Sequence, residues 1–556
     1  MQIRTTIRAI VSALGCATAL TGAAAAAPVA RFDFVDYRAA GAEAPTPPGL
    51  YRNPVLPGFH PDPSIVRVGE DFYLVTSTFS FWPGLPIFHS RDLVNWRLIG
   101  HAIDRPGMID TSGLGTNRGL FAPAITHHDG RFWIVNTCIG CQVNFVISAT
   151  RPEGPWSDPM WLPFGGIDPS LFFDGDGRTW IVYNDAPPGE PQYDGHRALW
   201  LQQFDPEARR LVGERTLLVD GGVDFSTQPV WAEGPHIYKV DGWYYLMAAE
   251  GGTADQHSQT IYRSRSVTGP YVPGPVNPIL TQRGLDPERP DRVEATGHAD
   301  LVQLEDGSWW GVFLANRPFM GQSTLLGRET NLLPVRWVDG WPRFLEPGQA
   351  LPPLNAVPDL PASPATDWSR WRDDFTGPLS PEWIRLRSPG AEQLWGVDRA
   401  EGELWVTAGP EAAGTLGHQA FTGRRLRHHA ATVTTRVDFA PQNAGDFAGL
   451  LAFMDEGHFL ALGVEGSGAG RRVVARLRDA EGDVVAGEPV ASAPLDRAGP
   501  VDLRLELDGG TARLAFRQGA GRWTALGEGV NVEPLASVHA GLFTGLVVGP
   551  YAVSGS

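Results

Sequence analysis

The chain has 556 residues, which is enough for two or three domains that each bury a sizeable hydrophobic core. Its formal net charge of -17 at pH 7 argues against partners that present a phosphate backbone, and beyond the N-terminus no apolar run is long enough to cross a bilayer. Its 19 tryptophans and 26 phenylalanines suit β-strands and also surfaces on which sugar rings stack. The composition therefore argues against a nucleic-acid-binding or membrane-embedded protein and favours a β-rich one.

The first 27 residues have the pattern of a secretory signal peptide. Arg4 and Arg8 precede an apolar run, and small residues follow it. We therefore expect the mature protein to be periplasmic or secreted. Residues 28–45 are rich in Ala, Gly and Pro and show no sustained hydrophobic period, so we interpret them as a leader to the folded region.

One sequence pattern occurs five times between residues 46 and 345. Each copy opens an apolar-alternating run with a short motif, continues through a turn rich in Gly and Asp, and ends in an aromatic-rich strand. The opening motifs are Asp62-Pro-Ser-Ile-Val, Ala122-Pro-Ala-Ile-Thr, Asp168-Pro-Ser-Leu-Phe, Glu233-Gly-Pro-His-Ile and Gly297-His298-Ala-Asp-Leu. Repeats of roughly 45–65 residues with several short strands are typical of propeller blades. The region is therefore predicted to be a five-bladed β-propeller.

Three of the five motifs carry a carboxylate at the same position, namely Asp62, Asp168 and Glu233. Equivalent positions in a propeller share one radius around one axis, so the three side chains should converge on one site. Hydrolysis of a glycosidic bond needs one protonated carboxyl group to donate to the leaving oxygen and one ionised carboxylate to attack or to activate water. The alternative is that Asp-Pro-Ser merely forms a turn. Two copies of it, together with Glu-Gly-Pro in repeat register, favour the catalytic interpretation.

The chain changes character after residue 345. Residues 346–366 contain six prolines and are predicted to form a semi-rigid linker. From 367 to 556, short strand signals with a period of two recur, which predicts a β-sandwich. No acidic pair in this region stands out as a second site.

Cys138 and Cys141 are the two cysteines that remain if the signal peptide is removed. Their spacing in Cys-Ile-Gly-Cys allows a short-loop disulfide in an oxidising compartment, and two free thiols are the alternative. A redox motif would need a thioredoxin-like βαβ context, and a zinc site would need two further ligands, neither of which the sequence shows. We interpret the pair as structural.

The order and number of the motifs resemble glycoside hydrolase family 43. The resemblance rests on Asn53-Pro-Val-Leu-Pro-Gly-Phe-His-Pro-Asp62-Pro-Ser-Ile, Gly166-Ile-Asp168-Pro-Ser-Leu-Phe, Ala232-Glu233-Gly-Pro-His-Ile-Tyr-Lys, Gly297-His298-Ala-Asp and Gly327-Arg328-Glu-Thr. It covers residues 46–345, and the tail is similar to the family's C-terminal concanavalin-like β-sandwich. The resemblance implies an exo-acting β-xylosidase or α-L-arabinofuranosidase on a five-bladed propeller, which agrees with the number of repeats.

The resemblance also assigns roles to the three carboxylates. It implies that Asp62 is the general base that activates water, that Glu233 is the general acid, and that Asp168 orients Glu233 and helps to keep it protonated. The family inverts the anomeric configuration in one displacement, which requires the acid and the base to stand roughly 6.5–9.5 Å apart. This chemistry requires no cofactor, and xylo- or arabinoxylo-oligosaccharides are the implied substrates.

Two further residues match polar positions of the family. Arg328 resembles the arginine that binds sugar hydroxyls near the middle carboxylate, and a surface arginine is the alternative. His298 occupies the equivalent position in the fifth repeat. In some relatives this histidine faces a hydrated calcium ion in the propeller channel. A calcium ion near His298 is therefore one interpretation, and a buried, hydrogen-bonded histidine is the other.

Aromatic residues match places where relatives build a wall for the sugar. Phe79, Phe81 and Trp82 follow the second strand of the first repeat, and alternation could instead bury one or two of them in the blade. Phe121 precedes the second motif. Phe543 matches the place where related sandwich domains send a phenylalanine over the pocket. We expect these side chains to line the sugar-binding pocket.

The sequence also allows functions other than the preferred β-1,4-xylosidase activity. The segment Gly119-Leu-Phe-Ala-Pro departs from the Gly-Ile-Trp-Ala-Pro of xylosidase-type relatives, so α-L-arabinofuranosidase or dual activity is an alternative. A retaining fructan- or sucrose-cleaving propeller would show Asn-Asp-Pro-Asn, Arg-Asp-Pro and Glu-Cys motifs, which are absent. A non-catalytic sugar-binding protein would usually have lost one of the three acids. The sequence carries no signal for an oligomeric state.

Overall fold

The computed structural model describes residues 27–41, 46–387, 390, 392–468, 470–480 and 485–555. Within these ranges the regular structure is β-strand, apart from short 3-10 turns at Phe225–Thr227, Glu392–Leu394 and Glu533–Leu535. No helix in the described ranges has the length and apolar character needed to cross a membrane. The predicted signal peptide, residues 1–27, lies outside the described residues except for its last residue. The predicted all-β fold class is confirmed.

Five antiparallel sheets form the blades of a propeller. Their inner strands contact one another in the ring order 1–2–3–4–5–1, so the ring closes around a central axis. The strands are Ser64–Val68, Asp71–Val75, Gly84–Ser90 and Arg97–Ile103 in blade 1; Gly119–Leu120, Ala124–His128, Arg131–Ile139, Val143–Ala149 and Met160–Leu162 in blade 2; Ile167–Phe173, Thr179–Asp185, Ala198–Asp205 and Arg210–Asp220 in blade 3; Glu233–Val240, Trp243–Glu250, Ser258–Ser264, Val272–Pro273 and Leu280–Thr281 in blade 4; and Glu294–Gln303, Trp309–Asn316, Glu329–Val338 and Trp341–Arg343 in blade 5. The predicted five-bladed β-propeller is confirmed.

Buried hydrogen bonds near the axis join neighbouring blades. Ser64 in blade 1 donates to Oδ2 of Asp300 in blade 5 at 2.7 Å, and its hydroxyl accepts from the backbone N of Ile125 in blade 2 at 3.0 Å. Tyr238 in blade 4 donates to Oδ1 of Asp300 at 2.6 Å, and Ser170 in blade 3 donates to a backbone carbonyl of blade 4 at 2.6 Å. A buried polar group without a partner would be costly. The serines of the two Asp-Pro-Ser motifs therefore hold the ring together.

The predicted linker, residues 346–366, follows the propeller surface closely. Its strand Leu354–Ala356 pairs with Leu50–Arg52, the segment that precedes blade 1. The backbone N of Ser363 donates to Oδ2 of Asp92 at 2.7 Å. Because the segment is anchored at both points, it acts as part of the propeller rather than as a free spacer.

A second domain is a β-sandwich of a nine-stranded and a seven-stranded sheet. The nine strands are Val29–Ala39, Arg370–Asp373, Trp395–Asp398, Glu403–Thr407, Ala430–Asp438, Val501–Asp508, Thr511–Gln518, Thr524–Ala525 and Val530–Asn531; the seven are Ala420–Phe421, Arg424–Arg425, Phe447–Asp455, His458–Ser467, Gly470–Asp479, Glu488–Pro494 and Val547–Val553. Leucines of both sheets, among them Leu450, Leu462, Leu503 and Leu505, share one buried core. The predicted β-sandwich is confirmed.

The interpretation of residues 28–45 as a leader is wrong, because Val29–Ala39 is a strand inside the nine-stranded sheet. It pairs with Ala430–Asp438 on one side and with Glu403–Thr407 on the other. Its buried side chains are Ala30, Phe32, Val35 and Tyr37. They change from even to odd positions at a register shift just before Phe34, and a bulge of this kind interrupts the alternation in the sequence. The sandwich is therefore built from segments that precede and follow the propeller in the sequence.

The sandwich is attached to the propeller beside its first two blades. The short strand Phe81–Trp82 pairs antiparallel with Arg385–Leu386 of the sandwich. The backbone N and the hydroxyl of Thr116, which precedes blade 2, donate to Glu456 of the sandwich at 3.2 and 2.8 Å. Side chains of the sandwich can therefore reach the end of the propeller at which the motifs begin.

Candidate active site

The motif positions of blades 1, 3 and 5 share an unusual backbone conformation. Asp62, Asp168 and His298 have φ angles of 53°, 54° and 50°. Residues other than glycine rarely adopt this left-handed conformation, although Asp and His tolerate it better than most. Register shifts also interrupt the inner strands of blades 3, 4 and 5 at their motifs, and such bulges redirect side chains. The motifs thus leave the regular strand where their side chains turn toward the axis.

Three carboxylates and one imidazole meet at this end of the propeller. A carboxylate oxygen of Asp168, one of Glu233 and a ring nitrogen of His298 all lie within 4.8 Å of one another. Asp62 adjoins this group, because its Oδ1 is 3.9 Å from Nδ1 of His298. Residues more than 200 positions apart in the sequence therefore share one site, as the repeat register predicts.

Asp62 is buried among groups that favour its ionised form. Burial by itself raises the pKa of Asp62, but the nearby Arg328 and His298 and the hydroxyl of Ser77 outweigh it and bring the pKa below its usual value. Ser77 donates from Oγ to Oδ2 at 2.5 Å, and Arg328 donates from Nη1 to Oδ1 at 3.2 Å. Asp62 therefore stays a carboxylate near neutral pH, as a proton acceptor must.

Glu233 and Asp168 have the opposite tendency. Burial and the negative charge of Asp62 raise the pKa of Glu233 to about 7, although Arg328 and Arg197 pull it in the other direction. The pKa of Asp168 is well above its ordinary value because of burial and of the charges of Glu233 and Asp62. Like charges this close do not all ionise together. The pair therefore retains a proton near neutral pH, and Glu233 is the more exposed of the two.

Opposed protonation states within one site are what acid–base hydrolysis requires. The ionised Asp62 can take a proton from water, and the protonated pair of Asp168 and Glu233 can give one to a leaving group. The arrangement serves a reaction in which a proton is added on one side of a bond and removed on the other. It provides the two carboxyl groups that cleavage of a glycosidic bond needs.

Arg328 is buried, so it is not a surface arginine. Besides its contact with Asp62, its guanidinium carbon lies 5.1 Å from the ring centre of Phe543, a residue of the sandwich. Arg328 thus joins the charged part of the site to its aromatic part. A fixed fork of N–H donors at this position suits the hydroxyl groups of a sugar.

His298 lies against the backbone next to Glu233. A Cβ atom added to Gly234, whose φ is 55°, would be 2.9 Å from Cε1 of the His298 ring, so only glycine fits there. Burial lowers the pKa of His298 to about 4, which keeps the ring neutral at pH 7. Nδ1 of His298 lies 3.9 Å from Oδ1 of Asp62, and both the buried histidine and the calcium-facing histidine remain interpretations of this position.

The described residues around His298 offer few free oxygen ligands to a directly bound calcium ion. Calcium prefers about six to eight oxygen ligands. The nearby Asp300 already accepts hydrogen bonds from Ser64 and Tyr238. The carboxylates of Asp168 and Glu233 within reach of the ring belong to the acid pair. The calcium ion near His298 therefore stays a prediction.

The predicted aromatic wall is smaller than expected. Phe79, Phe121 and Phe543 form a cluster with ring centres 5.3–5.6 Å apart. Phe121 and Phe543 are partly exposed, whereas Phe79 is 1% exposed and packs behind them. Phe81 and Trp82 are buried in the strand that pairs with the sandwich, so they are packing residues and not wall residues. Phe81 packs in the same buried cluster as Phe79, whereas Trp82 packs on the other side, in the core between blades 1 and 2.

Cys138 and Cys141 form a disulfide at the turn between two strands of blade 2. Phe121 lies beside this turn, because its backbone N donates to the carbonyl of Thr137 at 2.9 Å and its carbonyl accepts from Asn136 at 2.6 Å. The disulfide is a local staple, and it closes the hairpin that carries one side of the aromatic wall.

The structure adds residues that sequence reasoning missed. Ser77 donates to Asp62 but stands in a Thr-Ser-Thr segment without a recognisable pattern. Arg197 lies in a loop of blade 3 and acts on Glu233 through its charge. Trp231, two residues before Glu233, was detectable as an aromatic residue next to a motif carboxylate. Ser77 and Arg197 lie in loops, whose spatial position a repeat pattern does not specify, and Trp231 contacts Arg197.

Comparisons with known proteins identify both domains. The model of glycosyl hydrolases family 43 matches residues 51–342, and that of the beta xylosidase C-terminal concanavalin A-like domain matches residues 372–556. The chain is 38% identical over 511 residues to a non-reducing end α-L-arabinofuranosidase of Bacteroides ovatus, which spans 90% of this chain and 91% of that protein.

Two further similarities extend over nearly the whole chain. A xylosidase/arabinosidase of Butyrivibrio fibrisolvens is 34% identical over 512 residues, covering 91% of this chain and 96% of that protein. The crystal structure of a GH43_12 protein retrieved from a capybara gut metagenome aligns with a TM-score of 0.87 at 34% identity, covering 95% of this chain and all of that one (100%). Both domains and their arrangement in sequence are thus shared with these proteins.

Proposed function

Because the chain belongs to glycoside hydrolase family 43, we propose that it is an inverting, exo-acting hydrolase that releases terminal pentose residues from xylan-derived oligosaccharides, chiefly as a β-1,4-xylosidase. The observation that carries the proposal is the pair of opposed pKa shifts within one site. The pKa of Asp62 is lowered and that of Glu233 is raised to about 7. A base and an acid are thus both ready at neutral pH.

In this mechanism Asp62 takes a proton from a water molecule, which attacks the anomeric carbon. Glu233 donates its proton to the leaving oxygen in the same step. Asp168, with an oxygen within 4.8 Å of one of Glu233, orients the acid, and the charge of Glu233 raises the pKa of Asp168, so the two groups do not both ionise readily. Arg328 and the exposed faces of the aromatic cluster hold the terminal sugar. One displacement inverts the configuration at the anomeric carbon.

The position of Phe543 supports the exo-acting mode. It belongs to the sandwich, yet its ring centre lies 5.6 Å from that of Phe121 in the propeller. The second domain therefore closes one side of the pocket. A pocket closed in this way admits one terminal sugar at a time.

α-L-arabinofuranosidase activity is the second candidate. The relative that is 38% identical over 511 residues bears that name, and the relative that is 34% identical is named for both activities. Phe121 stands where xylosidase-type relatives have tryptophan, which leaves more room beside the sugar. Xylose in its pyranose form and arabinose in its furanose form present similar hydroxyl groups, so one pocket can serve both.

A substrate panel with anomer-resolved product analysis tests the proposal. Xylobiose and aryl β-xyloside represent the first activity, and aryl α-L-arabinofuranoside represents the second. Proton NMR during turnover should show an inverted anomer as the first product. Turnover of the arabinofuranoside alone would reverse the order of the two candidates, and a retained anomer would contradict the roles given to Asp62 and Glu233.

We propose further that the protein is exported, on the signal-peptide pattern of residues 1–27, and that turnover needs no metal ion. The disulfide between Cys138 and Cys141 suits an oxidising compartment. Cell fractionation with N-terminal sequencing of the mature protein tests the first statement. Full activity after extensive dialysis against EDTA tests the second, and activity that returns only with added calcium would contradict it.

A further inference from the structure

The acid defines where the leaving group must lie. In an inverting mechanism the base and the acid act on opposite faces of the anomeric carbon, so the leaving sugar adjoins Glu233 and not Asp62. Groups beside Glu233 on the protein surface are therefore placed to contact that sugar. Arg197 is such a side chain, because its charge acts on Glu233, and it contacts the ring of Trp231, which lies two residues before Glu233 in the chain.

Trp231 is held in a strained conformation between two loops. Its φ is 53°, which is unusual for a bulky residue and marks a position that the surrounding structure imposes. Its backbone N donates to the carbonyl of Gly195 at 2.9 Å, and the preceding carbonyl, of Val230, accepts from the N of Gly251 at 2.8 Å. Loops of blades 3 and 4 thus fix the backbone of Trp231, two residues before the acid in the chain.

Arg197 rests on this indole with its donors unused. Its guanidinium carbon lies 4.1 Å from the ring centre of Trp231, and the side chain is partly exposed. Among the described residues it has no hydrogen-bond acceptor and no ion-pair partner for its guanidinium. Arg215 in the same blade makes a useful comparison. It stacks on a tryptophan at 3.9 Å, but its Nη1 is paired with Asp185 at 2.7 Å.

We propose that Arg197, positioned by Trp231, binds the hydroxyl groups of the leaving-group sugar. A guanidinium group carries five N–H donors in a fixed plane, and stacking on the indole sets the orientation of that plane. The ligand is a neutral sugar unit on the reducing-end side of the scissile bond. This inference rests on the proposed exo-hydrolase function and concerns the half of the substrate that departs.

The test compares two leaving groups in the series that the wild-type enzyme prefers. Xylobiose (or an arabinofuranosyl-substituted xylotriose) has a leaving sugar, whereas the aryl glycoside of the same pentose has none. Arg197→Met should lower kcat/KM for the oligosaccharide about 10- to 100-fold, mainly through a higher KM, as loss of a charge-assisted hydrogen bond predicts. Measured below the pKa of Glu233, where loss of the Arg197 charge leaves the acid protonated, turnover of the aryl glycoside should change by less than about threefold.

Matched variants separate binding from folding. Arg215→Met removes an arginine that also stacks on a tryptophan in blade 3, and it should leave both substrates unchanged. Trp231→Leu should reproduce part of the Arg197→Met effect with the same substrate dependence. Equal losses on the two substrates, or no loss on the oligosaccharide, would overturn the inference. Turnover of the aryl glycoside by the wild type tests the proposed function separately from this site.

Discussion

Nη1 of Arg328 lies 3.2 Å from Oδ1 of Asp62, and both side chains are buried. A cation supplied by blade 5 therefore sets the charge state of the carboxylate supplied by blade 1. The same cation also opposes the raised pKa of Glu233 and that of Asp168. One arginine thus influences all three acids, which makes it the most informative single position for testing the electrostatics of the site.

Arg328→Met should move the whole pH–rate profile to higher pH. Without the cation the pKa of Asp62 rises, which shifts the acid limb, and the pKa of Glu233 rises as well, which shifts the basic limb. The maximal kcat/KM should fall by about 10²-fold or more, as for loss of a charged donor in other active sites. Steady-state kinetics between pH 4 and 9 measure both effects. Arg328→Lys should shift the limbs less, and an unchanged profile would contradict the arrangement.

The two exchanges at the acid and the base should differ in their substrate dependence. Glu233→Gln should lower kcat by about 10²–10⁴-fold on an oligosaccharide and by less on an aryl glycoside with an acidic leaving group, which needs no protonation. Asp62→Asn should lower both alike, because every substrate needs the activated water. Glu305→Gln, at a side chain that is 86% exposed, is the control. Wild-type rates in either variant would remove that residue from its role.

Stability should respond to pH through Glu233. Its folded pKa of about 7 is above the ordinary 4.5, so its contribution to stability is present below pH 4.5 and is lost as the pH rises toward 7. Glu233→Gln lacks this loss. The difference in Tm between the variant and the wild type should therefore grow in favour of the variant between pH 4.5 and 7. If the Tm difference stays constant over this pH window, Glu233 does not titrate within it.

Phe543 and Phe79 belong to one aromatic cluster but should behave differently. Phe543 is partly exposed, so Phe543→Ala should raise KM several-fold with little change in the free energy of unfolding. Phe79 is 1% exposed, and Phe79→Ala should lower the free energy of unfolding by about 3–5 kcal/mol, the usual range for a buried phenylalanine. Steady-state kinetics and urea titration of the two variants distinguish a residue that lines the pocket from one that stabilises the core. Equal destabilisation by both would make Phe543 a core residue.

The strand before the propeller should be required for the sandwich. Phe32 is fully buried in the sandwich core, so Phe32→Ala should cost about 3–5 kcal/mol of unfolding free energy. The neighbouring Arg31 points outward with a side chain that is 49% exposed, and Arg31→Ala should cost less than about 1 kcal/mol. Thermal unfolding followed by circular dichroism compares the two. A wild-type-like Tm for Phe32→Ala would show that the strand is dispensable.

The three carboxylates of the catalytic centre could be predicted from the sequence, because the repeats place Asp62, Asp168 and Glu233 at equivalent positions. A closed ring of equivalent blades brings equivalent positions to one axis. Residues at the same position of different repeats therefore lie close together in the folded protein. The serines that follow two of these acids gave no such signal. Their role in joining the blades depends on which strand lies next to which, as the bond from Ser64 to Asp300 illustrates.

Local periodicity was least informative where the chain departs from regular strands. The bulge before Phe34 hid the strand Val29–Ala39, and the pairing of Phe81–Trp82 with the sandwich buried two residues expected in the pocket. Both features arise from contacts with segments hundreds of residues away. A window of neighbouring residues carries no information about such partners.

The sequence by itself determined the five-bladed ring, the second β-domain and the trio of acids, since each follows from spacing repeated along the chain. Only the tertiary structure decided which aromatic rings of the cluster are exposed, how Arg328 and Ser77 lower the pKa of Asp62, and that Arg197 stacks on Trp231 and acts on Glu233. The physical reason is that protonation states and pocket walls depend on distances of a few ångströms between distant loops. Chain order constrains those distances only after the blades and the sandwich have packed.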